Sequence, residues 1–406
     1  MNIPIPMPDM QIDSPQAAAG LSSHPLFRLG FRPFYLVAAV FAALSVPLWL
    51  ASYYGRAGGG LLQMDLYWHA HEMVFGFVLA VIVGFLYTAA RNWTGLWTPR
   101  GGKLAAIVMV WLAGRIAMAV ADPGLAAVVD LAFLPVAVWP LYRVLRQSGN
   151  KRNMTLVAVL VMLGLTNALY HLARLGLLYL SPVNAIQTAI LLVVLIETII
   201  GGRVIPAFTA FTANTVKDAH PVIRPRLDDA TLLLTAISTV AWVVGLSVVP
   251  AAILYVATAV AHALRLAGWK PIATRRHPLL WILHVAYAWI PAGFVLLSLS
   301  LLDVVVSSAA FHALTVGSMA GLIVGMMTRT ALGHTARPLV TGLAETSMYG
   351  LIVLAGFARL AAALLAGELR DAALLLAMLG WSGAFILYVA VYAPYLIHAR
   401  LDGKDG

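Results

Sequence analysis

Apolar runs of about twenty residues recur along the whole chain, about twelve of them, each the length needed to cross a bilayer as a helix. They fall near 34–54, 67–90, 103–121, 124–146, 154–180, 184–205, 228–248, 251–267, 278–301, 304–330, 345–366 and 371–396 of the 406 residues. In hydrocarbon the backbone must satisfy its own polar groups, so such runs close as helices. The fold class predicted is therefore all-α: a polytopic membrane helix bundle of about 12 transmembrane helices. Hydrophobic residues make up 62% of the chain and charged ones 10%, against about 25% charged in soluble domains. Residues 1–25 are Pro- and Met-rich, without a basic n-region, an apolar h-region or a cleavage site, and read as a disordered tail. Residues 26–399 form one transmembrane helical domain, and 400–406 a short polar tail.

The net charge of +10 is topological. With the N-terminus in the cytoplasm, only Arg56 and Arg370 fall in loops on the far side, and Arg115, Arg174 and Arg359 fall inside helices. The remaining Lys and Arg lie in the termini and the loops of one face, the positive-inside pattern, which predicts both termini in the cytoplasm. The basic loops are expected to face the cytoplasm, and nucleic acid is not implied. Arg28 and Arg32, in LFRLGFRPFY (26–35), read as interfacial anchors or as a surface segment closing a pocket.

Ionisable groups at membrane depth are rarely kept without a partner or a task. The second helix opens with Trp68, His69, His71 and Glu72. Residues two apart on a helix differ by about 200° in azimuth, so the two histidines serve different faces unless the entry is extended. A Trp–His interfacial belt is the plain alternative. Arg115 and Asp130 suit a buried pair across the third and fourth helices. Asn167, Tyr170, His171 and Arg174 share the fifth helix, where His171 and Arg174 lie one turn apart; a haem ligand with a propionate partner and a polar interhelical seam both fit. Glu197, mid-membrane in the sixth helix, is a candidate proton relay or a partner for a buried arginine, and Arg203 and Pro206 follow it, the proline marking a helix end. His262 and Arg265 sit near the end of the eighth helix, and His284 and Tyr287 one turn apart in the ninth. In the tenth, His312, Met319 and Met326 recur every seven residues and share a face, while Gly317, Gly321 and Gly325 lie opposite and admit a neighbouring backbone. Methionine as core filler competes with methionine as a ligand. Glu345 and Arg359 read as scaffold. No convincing internal repeat emerges, only a short echo between 168–176 and 261–269.

There is no cysteine, which excludes disulfides, thiolate-held clusters and covalently attached c-type haem. Imidazole suits haem iron, copper, zinc and nickel. Deep histidines among aromatics and arginines therefore point to noncovalent haem, b-type by default, with a histidine-bound copper beside it. No nucleotide fingerprint is present.

Five segments carry a resemblance: LFRLGFRPFY (26–35), WHAHEMVFGF (68–77), GGRVIPAFTAFTAN (201–214), PLLWILHVAYAWIP (278–291) and HALTVGSMAGLIVGMMTRTALGHTARPL (312–339). Through them the chain resembles the NnrS family, haem- and copper-containing bacterial membrane proteins associated with nitric oxide metabolism. The resemblance implies about twelve helices, haem and copper, and a part in the response to nitric oxide. It carries over His69, His71, His284, His312 and His334 as motif residues.

Together these readings predict a haem/copper membrane protein that binds or detoxifies nitric oxide. His71 and His312 are the foremost axial or copper ligands, with His171, His284 and His69 behind them. Arg174, Arg203 and Tyr287 are expected at the cofactor, and Met319 and Met326 at the metal. Reduction would need an electron donor that the chain does not visibly contain, so enzymatic turnover stays open. A proton- or metal-coupled transporter, which calls for repeat symmetry and broken helices at matching positions, and a haem-handling or sensory protein are the rivals.

Overall fold

The structure, a computed structural model, describes residues 24–56, 64–213 and 220–405. The proposed N-terminal tail lies almost wholly outside the described residues. Among the described residues twelve helices carry the fold: α1 Phe31–Tyr53, α2 Leu66–Thr94, α3 Gly101–Val120, α4 Pro123–Gln147, α5 Lys151–Arg174, α6 Pro182–Ala213, α7 Pro225–Val243, α8 Val248–Gly268, α9 Pro278–Leu301, α10 Ser307–His334, α11 Leu343–Leu364 and α12 Gly367–Ile397. Eleven are long and apolar enough to span a membrane. The twelfth, α7, carries Arg226, Asp228 and Asp229 at its start and falls outside that group. The all-α polytopic bundle expected from the apolar runs is the fold observed.

Neighbours in sequence pack as hairpins, α3 on α4, α5 on α6, α8 on α9 and α11 on α12, while α12 returns to lie along α1. That return is pinned by Arg32, whose Nη1 donates to the carbonyls of Leu396 and His398, each at 2.8 Å. Both ends of the described chain therefore meet at one end of the bundle. α2 and α10 are the most enclosed helices, 83% and 78% buried over their apolar windows, and they stand where the other helices can surround them.

Three sequence expectations change here. α6 does not stop at Pro206 but continues to Ala213. A proline at that position cannot bond back to the carbonyl of Gly202. Gly202 in turn lacks the Cβ that would collide with Arg265, and the Arg265 guanidinium donates to the Thr198 carbonyl at 2.9 Å. The kink-prone stretch is thus braced from α8. Second, the seven-residue spacing of His312, Met319 and Met326 does not bring the three to one cavity. Residues Ala313–Met319 form a π-helical segment, whose wider turn shifts the phase of everything after it. His312 and Met326 line different cavities, and Met319 is core. The glycine face behaves as expected: a Cβ at Gly317, Gly321 or Gly325 would strike Trp289, Ala286 or Leu283 of α9.

Third, an internal correspondence exists. In α2, His71, Gly76 and Ile82-Val83-Gly84 recur at the same spacing as His312, Gly317 and Ile323-Val324-Gly325 in α10. Each histidine is followed at once by a π segment, Glu72–Val78 in one helix and Ala313–Met319 in the other. Over 71–84 only five of fourteen positions match, too few to stand out against an apolar background, and the shared backbone irregularity is what makes the pairing visible.

Candidate functional site

His69 and His71 leave the first turns of α2 in different directions and enter two unlike environments. Asp65 caps this helix, its carboxylate accepting from the Trp68 amide at 2.7 Å, which fixes where the turn begins and so where each ring points.

His69 lines a cavity of about 290 Å³ enclosed by α1, α2, α6, α10, α11 and α12. His312 lines the same cavity, across from α2 on α10, together with Arg359 from α11. Most of the remaining wall is apolar or aromatic, including Trp49, Met73, Phe77, Phe311 and Trp381. The two imidazoles are held differently. His312 Nδ1 donates to the Ser308 carbonyl at 2.7 Å, one turn back, with the Ser308 hydroxyl at 3.1 Å. Arg359 Nη2 donates to that same hydroxyl at 3.3 Å. With its proton on Nδ1, His312 keeps a lone pair on Nε2, for which no described residue supplies a partner. His69 stacks on Trp49, ring centroids 3.9 Å apart and planes 18° apart, and its Nδ1 is buried without any partner. Buried polar atoms are almost always satisfied, so the bare Nδ1 of His69, enclosed in the wall, stands out, and the Nε2 of His312 is the ring nitrogen left for whatever the cavity binds.

His71 turns the other way, into a polar cluster built by α2, α3, α4 and α5. Its Nδ1 faces Glu72 Oε1 at 2.9 Å and its Nε2 faces Asn167 Oδ1 at 2.8 Å and Asp130 Oδ2 at 3.4 Å. Asp130 Oδ2 also accepts from Asn167 Nδ2 at 2.7 Å and meets His171 Nε2 at 3.0 Å. Arg115 bridges the two carboxylates, one guanidinium nitrogen on Glu72 and the other on Asp130. The pairing of Arg115 with Asp130 expected from sequence is present. One ligand atom each from His71, Asp130 and His171 lies within 4.8 Å of the others, and all three residues are buried, so the group could hold a metal ion.

The other expected residues are dispersed. Glu197 accepts from the Ser318 hydroxyl at 3.0 Å and is the one acidic side chain on a smaller chamber of about 90 Å³, which Met326 also lines. That chamber shares Val78 with the cavity of His69 and His312. His284 Nδ1 bonds to the Leu280 carbonyl at 3.0 Å, and its Nε2 lies 3.4 Å from Thr209 Oγ1. Tyr287 serves His262 Nδ1 at 2.8 Å and Arg265 at 3.2 Å rather than His284. Arg174 pairs with Asp65 at 2.9 Å beside the Tyr67 ring, and Arg203 donates to Asn153 at 2.7 Å. Neither arginine lines the cavity of His312. His334 packs on Phe31.

Arg359 and Asp130 are the residues that sequence reading assigned to scaffolding and that the structure brings to these sites. Arg359 had one available signal, its depth in an apolar helix. Its proximity to His312 is a tertiary fact.

Fold and sites together define a multi-span helical membrane protein with an imidazole-lined interior cavity and a separate buried His/Asp/His group. The chain belongs to the NnrS family: the family described as NnrS protein matches residues 25–400. No individually curated protein matches the chain.

Proposed function

We propose that this chain is a haem protein of the bacterial cytoplasmic membrane, with both termini cytoplasmic, that binds nitric oxide and helps to detoxify it. The observation carrying this reading is the cavity lined by His69 and His312 from two opposing helices, with His312 Nε2 taken by no described residue. The residues fit a noncovalent b-type haem. His69 and His312 offer imidazole nitrogens from opposing helices, apolar and aromatic walls suit a porphyrin, and Arg359 supplies the cation for a propionate. When bound, the iron supplies the position at which a small gas can ligate.

The chain's own residues decide how firmly each ligand is held. His312 is oriented by the Ser308 carbonyl, the second-sphere bond that fixes a tautomer and raises ligand basicity. His69 has only its stack on Trp49. Of the two imidazoles that would hold the haem, His312 is therefore the more firmly oriented and His69 the more loosely held. Nitric oxide, small and apolar, enters from lipid, and the chamber beside Glu197 lies next to the cavity through Val78. Reduction of the gas would need electrons from an external donor, and Glu197, on the adjoining chamber, is the candidate for a proton.

The matched π segments of α2 and α10 give the transporter reading one point in its favour. Both helices nevertheless continue through those segments, and bare imidazoles facing a cavity suit a metal centre better than a translocation path.

The visible spectrum of the detergent-purified protein tests the proposal. A Soret band that shifts when nitric oxide is added to the reduced protein is expected. A colourless protein without bound iron, purified from cells replete in haem, would remove it.

A further inference from the structure

We propose that His71, Asp130 and His171 form a second, haem-independent site for one divalent first-row transition-metal ion. This goes beyond the haem reading and does not depend on it.

Two of the three ligand-atom spacings are those of a ligand shell, and the third is within 4.8 Å. Metal–ligand distances of about 2.0–2.2 Å at angles near 90–110° put neighbouring ligand atoms roughly 3.0–3.5 Å apart. His171 Nε2 and His71 Nε2 lie 3.0 Å and 3.4 Å from Asp130 Oδ2. Two imidazoles and one carboxylate, with no thiolate in the chain, select iron(II), copper(II) or zinc over calcium or magnesium.

The surrounding groups are arranged as support for such a shell. The second nitrogen of His71 faces Glu72, the carboxylate–histidine arrangement that fixes a metal-binding tautomer. Arg115 holds Glu72 and the far oxygen of Asp130, leaving Oδ2 for the imidazoles. Asn167 Oδ1, 2.8 Å from His71 Nε2, stands ready as a further oxygen donor.

Charge points the same way. Two buried carboxylates face one arginine, so the cluster needs another positive charge. Both ring nitrogens of His71 face oxygen atoms, so a cation belongs between His71 and Asp130, either a second imidazole proton or a metal ion. A route exists for the latter: His171 lines a cleft of about 40 Å³ whose rim carries the paired Asp65 and Arg174.

The test uses the full chain in detergent, stripped with chelator and titrated with Zn²⁺ and Cu²⁺. One equivalent of either should bind and raise the thermal midpoint. The Cu²⁺ electron paramagnetic resonance spectrum should show hyperfine coupling to two nitrogens. His171→Ala should weaken binding about 100-fold or more and leave coupling to one nitrogen. Helical content by far-ultraviolet circular dichroism and the elution volume in detergent should match wild type, and they report folding in the same samples. His171→Gln provides a second variant of closer size. Failure to bind either ion in a chain that retains its fold, or equal binding by wild type and both variants, would overturn the proposal and leave a proton as the occupant.

Discussion

His69 and His71 stand two residues apart, yet one faces a cavity and the other closes a dense polar cluster. Around His71, five other side chains exchange charges and hydrogen bonds, and only Glu72 Oε2 and Arg115 Nε are left over among the buried atoms. Around His69 the nearest companion is a Trp49 ring, and the imidazole Nδ1 has no partner. In a low-dielectric interior, a satisfied network rigidifies its surroundings, whereas an unsatisfied group carries a standing cost. The first region, whether a proton or the proposed metal ion supplies its last positive charge, is held together mainly by its own side chains. The second is completed by what it binds.

Removing a charge from the cluster should produce the largest effect. Arg115→Met leaves Glu72 and Asp130 without their counter-charge, and breaking one partner of a buried ion pair costs about 3–5 kcal/mol. A marked drop in the unfolding midpoint in detergent is expected. A variant as stable as wild type would mean that the cluster does not hold α2, α3 and α4 together, and the contrast between the regions would fail. His312→Ala should do the opposite, with haem per chain falling to about a tenth or below, a tenfold being one step of about 1.4 kcal/mol, while the haem-free protein unfolds at nearly the wild-type midpoint. Full haem retention would take the cavity out of haem binding.

How far these regions could be read in advance differs for physical reasons. Apolar runs reveal helices because membrane length is a local property, and the helix count held even where α6 ran on through Pro206. The pairing of Arg115 with Asp130 was legible because a short hairpin brings them together. The assignment of His71 as an axial ligand beside His312 now rests on separate regions, since the cavity takes His69 instead. Azimuth separated the two histidines but could not say which one faced the cavity, because that depends on how α2 rotates against α6 and α10. The misplacement of Met319 has a sharper cause. A π segment inserts a wider turn, and no strong signal in Ala313–Met319 announces it.

A middling effect is expected at Arg359, which depth alone hinted at. Arg359→Gln removes the cation from the cavity wall while keeping a donor for Ser308. Loss of a hydrogen bond to a charged group is worth about 1.5–3 kcal/mol, so haem should dissociate roughly tenfold faster or more, measured by transfer to apomyoglobin. Unchanged dissociation would place the propionates elsewhere and weaken the account of the cavity as a built site.

The smallest structural effect should come from Glu197→Gln, and that smallness is informative. Glutamine keeps the shape of the side chain and can still accept from the Ser318 hydroxyl, so haem content and thermal midpoint should stay within error of wild type. Glu197 lines the adjoining chamber and not the haem cavity, so the Soret position should also hold. What the substitution removes is an exchangeable proton. With an artificial reductant present, nitric oxide consumption should slow if protons pass through this carboxyl, while binding of the gas remains unaltered. Equal consumption would assign Glu197 to packing α6 against α10, and a displaced Soret band would show that the two chambers act as one.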